Sequence, residues 1–447
     1  MDIFDFIVFF IWVFIFYILL AIRRKRYQDP FFRKHIIRAF WVKVFATLCY
    51  SFFVLYLSPG DTTLLYFPEA ANIRQMILKD PSKVSILFHA ATDFDQTQLT
   101  TNANLGYFDT EGNFMVTRIA AIFSFFTFGK FLATNLFFSM FALTGAWKLF
   151  RFFYNQYPNL KRQIAIATLY LPSLVFWGAG ILKDPLCTGS IGFMTYAIFN
   201  AFVLKKHIIK NIITFSFFSW LLYIVKSYIF VSYLPFLILF LILSKLALVE
   251  NILLKAFIVL LFITGSIFAF LRFTESERNV FGNFATQGIG ESVLHYQREF
   301  QQKDFAESTF SLGVDFDGSI ISLVKIGPAA IAATLFRPFI WESRKISTLL
   351  SSLEGLVIML FTAYVLLKVG FFRFIGAIFR SPIILYCFTF SILFSLFVGA
   401  TTLNFGSLVR YKIPGMPFFI MSLFLILDIY KKNKELKNNE RVTIPEV

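Results

Sequence analysis

Charge is scarce in this chain, and cysteine is scarcer. Of its 447 residues, 15% are Asp, Glu, Lys or Arg, where a soluble domain carries about 25%. That shortage excludes an ordinary soluble fold. Cys49, Cys187 and Cys387 are the only cysteines, each in or beside an apolar run and without metal-like spacing. Neither a disulfide framework nor a zinc site follows from them. The sequence holds no GxxxxGK followed by Ser or Thr, no GxGxxG after a strand, no HExxH and no GxSxG. The usual nucleotide-binding, zinc-peptidase and serine-hydrolase signatures are therefore missing.

What the chain has instead is apolar length. It is 57% hydrophobic and 20% aromatic, with 64 Phe and a mean hydropathy of +0.70. At least nine apolar segments run to about 17–25 residues, enough to cross a bilayer as a helix. The net charge of +16 sits in short basic runs at the ends of these segments, where it sets orientation. It does not form the basic face of a nucleic-acid-binding domain. The start, Met1-Asp2-Ile3-Phe4-Asp5, is acidic, and its apolar run ends in Arg23-Arg24-Lys25-Arg26. A cleavable signal has the opposite polarity, so the first run reads as an uncleaved span with its N-terminus outside.

The basic runs then give a zigzag. Residues 23–38 carry seven Lys/Arg and one Asp and are expected inside. A span at 40–57 leads out to a loop at 58–116. Spans at 129–150, 163–180 and 186–204 follow, then the pair 211–225 and 228–244, which Lys226 separates. Residues 253–271 lead to a second outer loop at 272–349. Spans at 350–367, 382–400 and 413–430 complete the chain. The expected fold is an all-α polytopic transmembrane bundle of about eleven spans, N-terminus out and C-terminus in. It forms one integral membrane domain, 1–430, with a short charged tail, 431–447, too polar to order itself. No internal repeat is visible, which argues against an inverted-repeat transporter.

The unusual polar motifs all fall on the expected outer face. In Ser58-Pro59-Gly60-Asp61-Thr62-Thr63-Leu64-Leu65-Tyr66-Phe67-Pro68-Glu69, Pro-Gly turns the chain just beyond a span. Asp61 is then held at the membrane boundary, where a partly desolvated carboxylate suits a general base. Glu69 lies about two helical turns on, although Pro68 argues against an unbroken helix. The competing role for Asp61 is an N-cap. An acidic residue in an outer loop, just after a span and near Tyr66, resembles polyprenyl-phosphate-dependent glycosyltransferases of the GT-C type. That resemblance implies a carboxylate that activates an acceptor hydroxyl. Here the loop follows the second span, not the first, and holds no adjacent acidic pair.

Phe176-Trp177-Gly178-Ala179-Gly180-Ile181-Leu182-Lys183-Asp184-Pro185 places Lys183 and Asp184 in or near the membrane. Charges there read as functional with a partner, and Lys183 is suited to a phosphate oxygen. The alternative is an interfacial loop in which Asp184-Pro185 starts the next helix. Arg337, Trp341 and Glu342 close the second loop. There Trp341 reads as an interfacial anchor ahead of a sugar-stacking platform. Glu291, His295 and Glu299 share helical spacing, which fits an amphipathic outer helix better than a metal cluster. Gly313-Val314-Asp315-Phe316-Asp317-Gly318 offers oxygen ligands for a divalent cation, but two carboxylates make a poor site and a solvated turn is preferred. No cofactor or metal is otherwise indicated.

In Leu403-Asn404-Phe405-Gly406-Ser407-Leu408-Val409-Arg410-Tyr411-Lys412-Ile413-Pro414, Arg410 and Lys412 lie outside, against the positive-inside trend. They suit phosphate binding; lipid-headgroup contact is the other reading. An Arg in this Asn-x-Gly…Arg-Tyr-x-x-Pro context, before the last span, resembles bacterial oligosaccharide polymerases of the Wzy/EpsG kind. The two resemblances imply an enzyme of the bacterial inner membrane. It would transfer or polymerise sugars on a polyprenyl-(di)phosphate carrier, beside membrane lipids and other envelope glycan-assembly proteins. Asp61 or Glu69 would be the base. Arg410, Arg337, Lys412 or Lys183 would hold the phosphate, with Asp184, Tyr66, Glu342, Trp341, Asn404 and Tyr411 in support. The competing functions are a flippase for a lipid-linked anion, with charge deep in the bundle at Lys226 and Lys183–Asp184, and a non-catalytic subunit of an envelope complex.

Overall fold

The computed structural model describes residues 1–93, 107–245, 251, 253–254, 256–258, 260–262, 264–265, 308–314, 316–317, 320–343 and 345–442. The end of the span at 253–271, the Glu291–His295–Glu299 group, Asp315 and residues 443–447 lie outside them. The chain divides into two compact units, Met1–Phe230 with Glu277–Gly282, and Val231–Ser276 with Asn283–Val447. All the named secondary structure is helical apart from one isolated bridge. Among the described residues, six helices are long and apolar enough to cross a membrane, or seven if one bent pair is a single span. This is the architecture of a multi-pass membrane protein.

The first unit begins with α1 (Ile3–Arg24), whose start is closed by a reciprocal cap between Asp2 and Asp5 and whose last turn carries Arg23 and Arg24. Both ends therefore complement the helix dipole. Much of α1 presents exposed apolar side chains, among them Phe4, Phe10 and Phe14, as a lipid-facing helix does. Helix α2 (Pro30–Phe52) has Asp29 as N-cap and Pro30 in its first turn, and a π-helical turn carries it on to Leu57. A second π-helical turn, Thr62–Tyr66, runs into α3 (Phe67–Lys79). Pro68 is accommodated because it falls in the first turn of α3, where its missing N–H is not needed.

Helices α4 (Glu111–Phe126) and α5 (Phe131–Gln156) follow. The expected span at 163–180 is two short helices, α6 (Lys161–Leu169) and α7 (Pro172–Trp177). Pro172 cannot continue α6, and the residue before a proline avoids helical geometry. Then come α8 (Lys183–Phe202) and α9 (Ile208–Lys245). The expected pair at 211–244 corresponds to two helical stretches of α9 that meet at a kink at Lys226, whose φ of −151° and ψ of 83° are not helical.

Glycine decides the tightest packing in this unit. Gly145 of α5 meets Gly189 and Gly192 of α8 backbone to backbone. Small residues at such a seam let two apolar helices approach closely. Further along, Phe152 meets Phe199 at 5.1 Å, so α5 and α8 run parallel. α1 also runs parallel to α5, since Asp5 accepts from Phe131 N at 3.0 Å and Asp2 pairs with Lys130 at 2.7 Å. α2 is antiparallel to α5: Tyr154 donates to Asp29 at 2.6 Å at one end, and Asn135 to Ser51 at 3.0 Å towards the other.

The second unit holds α10 (Ile320–Phe336), α11 (Ile346–Val369), α12 (Phe371–Arg380), α13 (Pro382–Thr401), α14 (Phe405–Tyr411) and α15 (Met416–Val442). α10 and α13 close on each other where Gly399 meets the Ala330 carbonyl and Thr334 donates to Ser395 O at 2.7 Å. An aromatic cluster of Tyr233, Tyr386, Phe390 and Phe418 fills the core, with Tyr386 donating to Tyr233 at 2.6 Å. The tail is helical as far as Val442. Its polar residues continue α15 instead of leaving it at residue 430.

Candidate functional site

In the first unit, one buried hydrogen-bond chain brings two of the sequence candidates together. Tyr50 donates to Thr62 Oγ1 at 2.7 Å, and Thr62 donates to the Ile181 carbonyl at 2.9 Å. Asn135 Oδ1 accepts from Ile181 N at 2.9 Å. The stretch ahead of α8 is thereby tied to α2, to α5 and to the turn after Asp61. Gly180 is needed for this, because a side chain there would occupy the ring of Tyr50. Asp61 precedes Thr62, and Lys183 follows Ile181 by two residues. Asp61 lies within electrostatic reach of Lys183.

Lys183 opens α8 and Asp184 follows in its first turn, where a carboxylate complements the dipole. Asp184 accepts from Lys226 Nζ at 2.8 Å, and both side chains are over nine-tenths buried. A charge pair out of water persists only when each partner satisfies the other. The interruption of α9 at Lys226 belongs to the same place, for Gly112 at the start of α4 packs under it. A side chain at Gly112 would meet Val225 O at 2.7 Å and Lys183 Nζ at 3.3 Å. Lys183 itself is half-buried and makes no hydrogen bond or ion pair among the described residues. Asp61, Asp184 and Lys226 are the charges that act on it.

The other candidates of this unit lie around that group. Asp61 is half-buried at the head of the turn, without a side-chain cap. Glu69 is fully buried in α3 and accepts from Asn72 at 3.2 Å. Tyr66 donates to Asn113 at 3.2 Å and accepts from Tyr107 at 3.0 Å, which fixes the loop that carries Gly112.

The second unit gathers a different set. Arg337 Nε donates to both Glu342 oxygens at 3.0 and 3.1 Å, and Arg337 Nη1 donates to Ser311 O at 3.0 Å. Its guanidinium lies 4.3 Å over Phe310 and 5.2 Å over Phe405, which stack on each other at 4.4 Å. That stack is held by a bridge between Thr309 and Asn404. Lys412, buried, donates to the Arg337 carbonyl at 3.1 Å and feels Glu354. Asn404 caps α14 by accepting from Ser407 N at 3.2 Å. Arg337, Glu342, Lys412 and Asn404 thus form one cluster. In it the Arg337 and Lys412 donors go to the chain itself. Trp341 is 80% exposed and stacks on Phe339. Arg410 and Tyr411 are half-buried at the end of α14.

Two charged groups escaped the sequence reading. Lys43, buried in α2, donates to the carbonyls of Leu174, Val175 and Gly178 at 3.0–3.2 Å. It closes the C-terminal end of α7, and the signal was a lysine inside an apolar run. Arg118 pairs with Glu111 at 3.1 Å and reaches the His89 carbonyl; their seven-residue spacing puts them on one helix face. No group of three or more His, Cys, Asp or Glu able to hold a metal occurs among the described residues. No family model, curated protein or solved structure matches the chain.

Proposed function

We propose that this protein is an integral membrane glycosyltransferase or oligosaccharide polymerase that acts on polyprenyl-(di)phosphate-linked sugars at the outer face of a bacterial inner membrane. One observation carries the reading. Lys183 is a half-buried cation without a hydrogen-bond partner among the described residues, next in sequence to Asp184 of the Asp184–Lys226 pair and within electrostatic reach of Asp61. In this reading Lys183 neutralises the carrier phosphate as it leaves, where a preset charge in a water-poor site acts most strongly. Asp61 takes the proton of the acceptor hydroxyl. Asp184 and Lys226 neutralise each other and hold the start of α8 in register. The words sugar and polyprenyl rest on the resemblances at Asp61 and Arg410, and the charge arrangement supplies the chemistry.

The test is the lipid-linked and surface glycan profile of cells that lack the protein. Short lipid-linked units should accumulate. Wild type should clear them, and Asp61→Asn and Lys183→Met should not. A profile unchanged by the deletion would end this reading.

One observation favours a second reading, transport of a lipid-linked anion. The Asp184–Lys226 pair is buried where α9 is interrupted, and buried charge in a membrane helix marks ion and substrate paths. Here the carrier would cross the bilayer unchanged. Lipid-linked units trapped on the inner leaflet of the deletion strain, still at full length, would favour it over transfer.

A further inference from the structure

A second cationic site lies in the first unit, and the proposed chemistry does not use it. Lys148 and Arg151 of α5 both sit on the ring of Tyr196 of α8, with Nζ 4.6 Å and Cζ 4.8 Å from its centroid. The glycine seam explains the convergence. Gly145 and Gly192 bring the two backbones together, and one turn further along the parallel helices Lys148 and Arg151 must share one aromatic neighbour. Arg23, in the last turn of α1, and Lys210, in the first turn of α9, act on Lys148 as well. Three helices therefore place four cations at the same end of the unit.

None of the four cations makes an ion pair or a side-chain hydrogen bond among the described residues. Like charges repel, and the face of one tyrosine ring offsets only part of that. An anion is what such a group lacks. The site lies at the ends of apolar helices, where Lys and Arg meet the headgroup layer. Basic pockets between transmembrane helices hold anionic headgroups.

We infer that Lys148, Arg151 and Tyr196, with Arg23 and Lys210, form a binding site for the phosphate of an anionic phospholipid headgroup. The arginine supplies the directional donors and the lysine a point charge. Tyr196 keeps the two cations together between binding events. The site is separate from the Asp61–Lys183 group, so its test does not depend on the glycan reading.

The test uses the purified full-length protein in detergent, titrated with phosphatidylglycerol or with phosphatidylcholine, with bound lipid counted by native mass spectrometry. Wild type should retain phosphatidylglycerol in preference to phosphatidylcholine. Lys148→Gln/Arg151→Gln should weaken phosphatidylglycerol retention roughly tenfold or more, as expected for the loss of two cations near a headgroup. Arg23→Gln changes an exposed residue and leaves the packed core alone; it should lower retention several-fold. Melting temperature in phosphatidylcholine, equal for wild type and Arg23→Gln, separates a binding loss from misfolding. Equal retention of the two lipids by wild type would overturn the proposal, as would unaltered phosphatidylglycerol retention in either variant. So would displacement of phosphatidylglycerol by inorganic phosphate at equal concentration, which would make this a site for the free anion.

Discussion

Thr62 donates its hydroxyl hydrogen to the Ile181 carbonyl across 2.9 Å, and both residues are buried. Asp61 and Lys183 flank this bond in sequence, so it sets the distance between the proposed base and the proposed phosphate cation. Thr62→Val keeps the shape and removes the donor. It should destabilise the protein by about 1–3 kcal/mol, the usual cost of a buried acceptor left unpaired. Thr62→Ser should recover most of the loss. Thermal unfolding in a single detergent measures both.

Lys183→Met should behave in the opposite way. A half-buried cation without a hydrogen bond contributes little to stability and loses nothing when replaced by an apolar side chain of similar length. The variant should melt at or above the wild-type temperature while its glycan phenotype is lost. Loss of both together would give Lys183 a structural role.

Asp184 and Lys226 are a coupled pair. Asp184→Asn removes the carboxylate to which buried Lys226 donates, and breaking a buried pair costs about 3–5 kcal/mol. Asp184→Leu/Lys226→Met removes both charges and should regain most of that. A double-mutant cycle on melting temperature, with a coupling near zero, would contradict the pairing.

In the second unit, Arg337 depends on its planar shape. It binds Glu342 through more than one N–H and lies over Phe310 and Phe405. Lysine can do neither as well. Arg337→Lys should therefore destabilise by about 1.5–3 kcal/mol, the worth of a charge-assisted hydrogen bond, and retain little of the wild-type benefit over Arg337→Ala. Equal melting of Arg337→Lys and wild type would sink this account.

The first turns of α1 and α5 carry a pH dependence. Asp2 is held at about 2, chiefly by its hydrogen bond to Lys130, and Lys130 is raised by the same bond. The carboxylate favours the folded state above its ordinary value near 3.8, and that advantage fades as pH falls towards 2. The lysine contributes below its ordinary value of 10.5 and its share is lost at higher pH. Melting of wild type and Asp2→Asn should differ at pH 6 and converge near pH 2. The pair is solvent-exposed, so salt should shrink the difference.

The sequence made the helices legible where apolar length and basic ends agreed. α1, α5, α11 and α13 stand close to their expected bounds, whereas α2 starts at Pro30, inside the basic run expected as a loop. Pro172 explains the main departure, since hydropathy averages over a proline that ends a helix. The kink at Lys226 falls where the charge in the apolar run marked a break. The polar groups were legible one by one as charges in apolar surroundings, and Lys183, Asp184 and Lys226 were all visible. Their assembly was not. It depends on Tyr50, Thr62, Asn135 and Gly180, which look like ordinary span residues until a fold brings them together. Arg337 shows the same limit: its charge was legible, whereas its sharing of donors between Glu342 and the Ser311 carbonyl was not.

The central claim is that Asp61 and Lys183 act together on a lipid-linked glycan. Purified protein reconstituted in liposomes with a polyprenyl-diphosphate-linked saccharide tests it most directly, with product length read by mass spectrometry. Wild type should yield transferred or extended glycan, while Asp61→Asn and Lys183→Met, folded to the same melting temperature, should yield none. Turnover by both variants at the wild-type rate would contradict the claim.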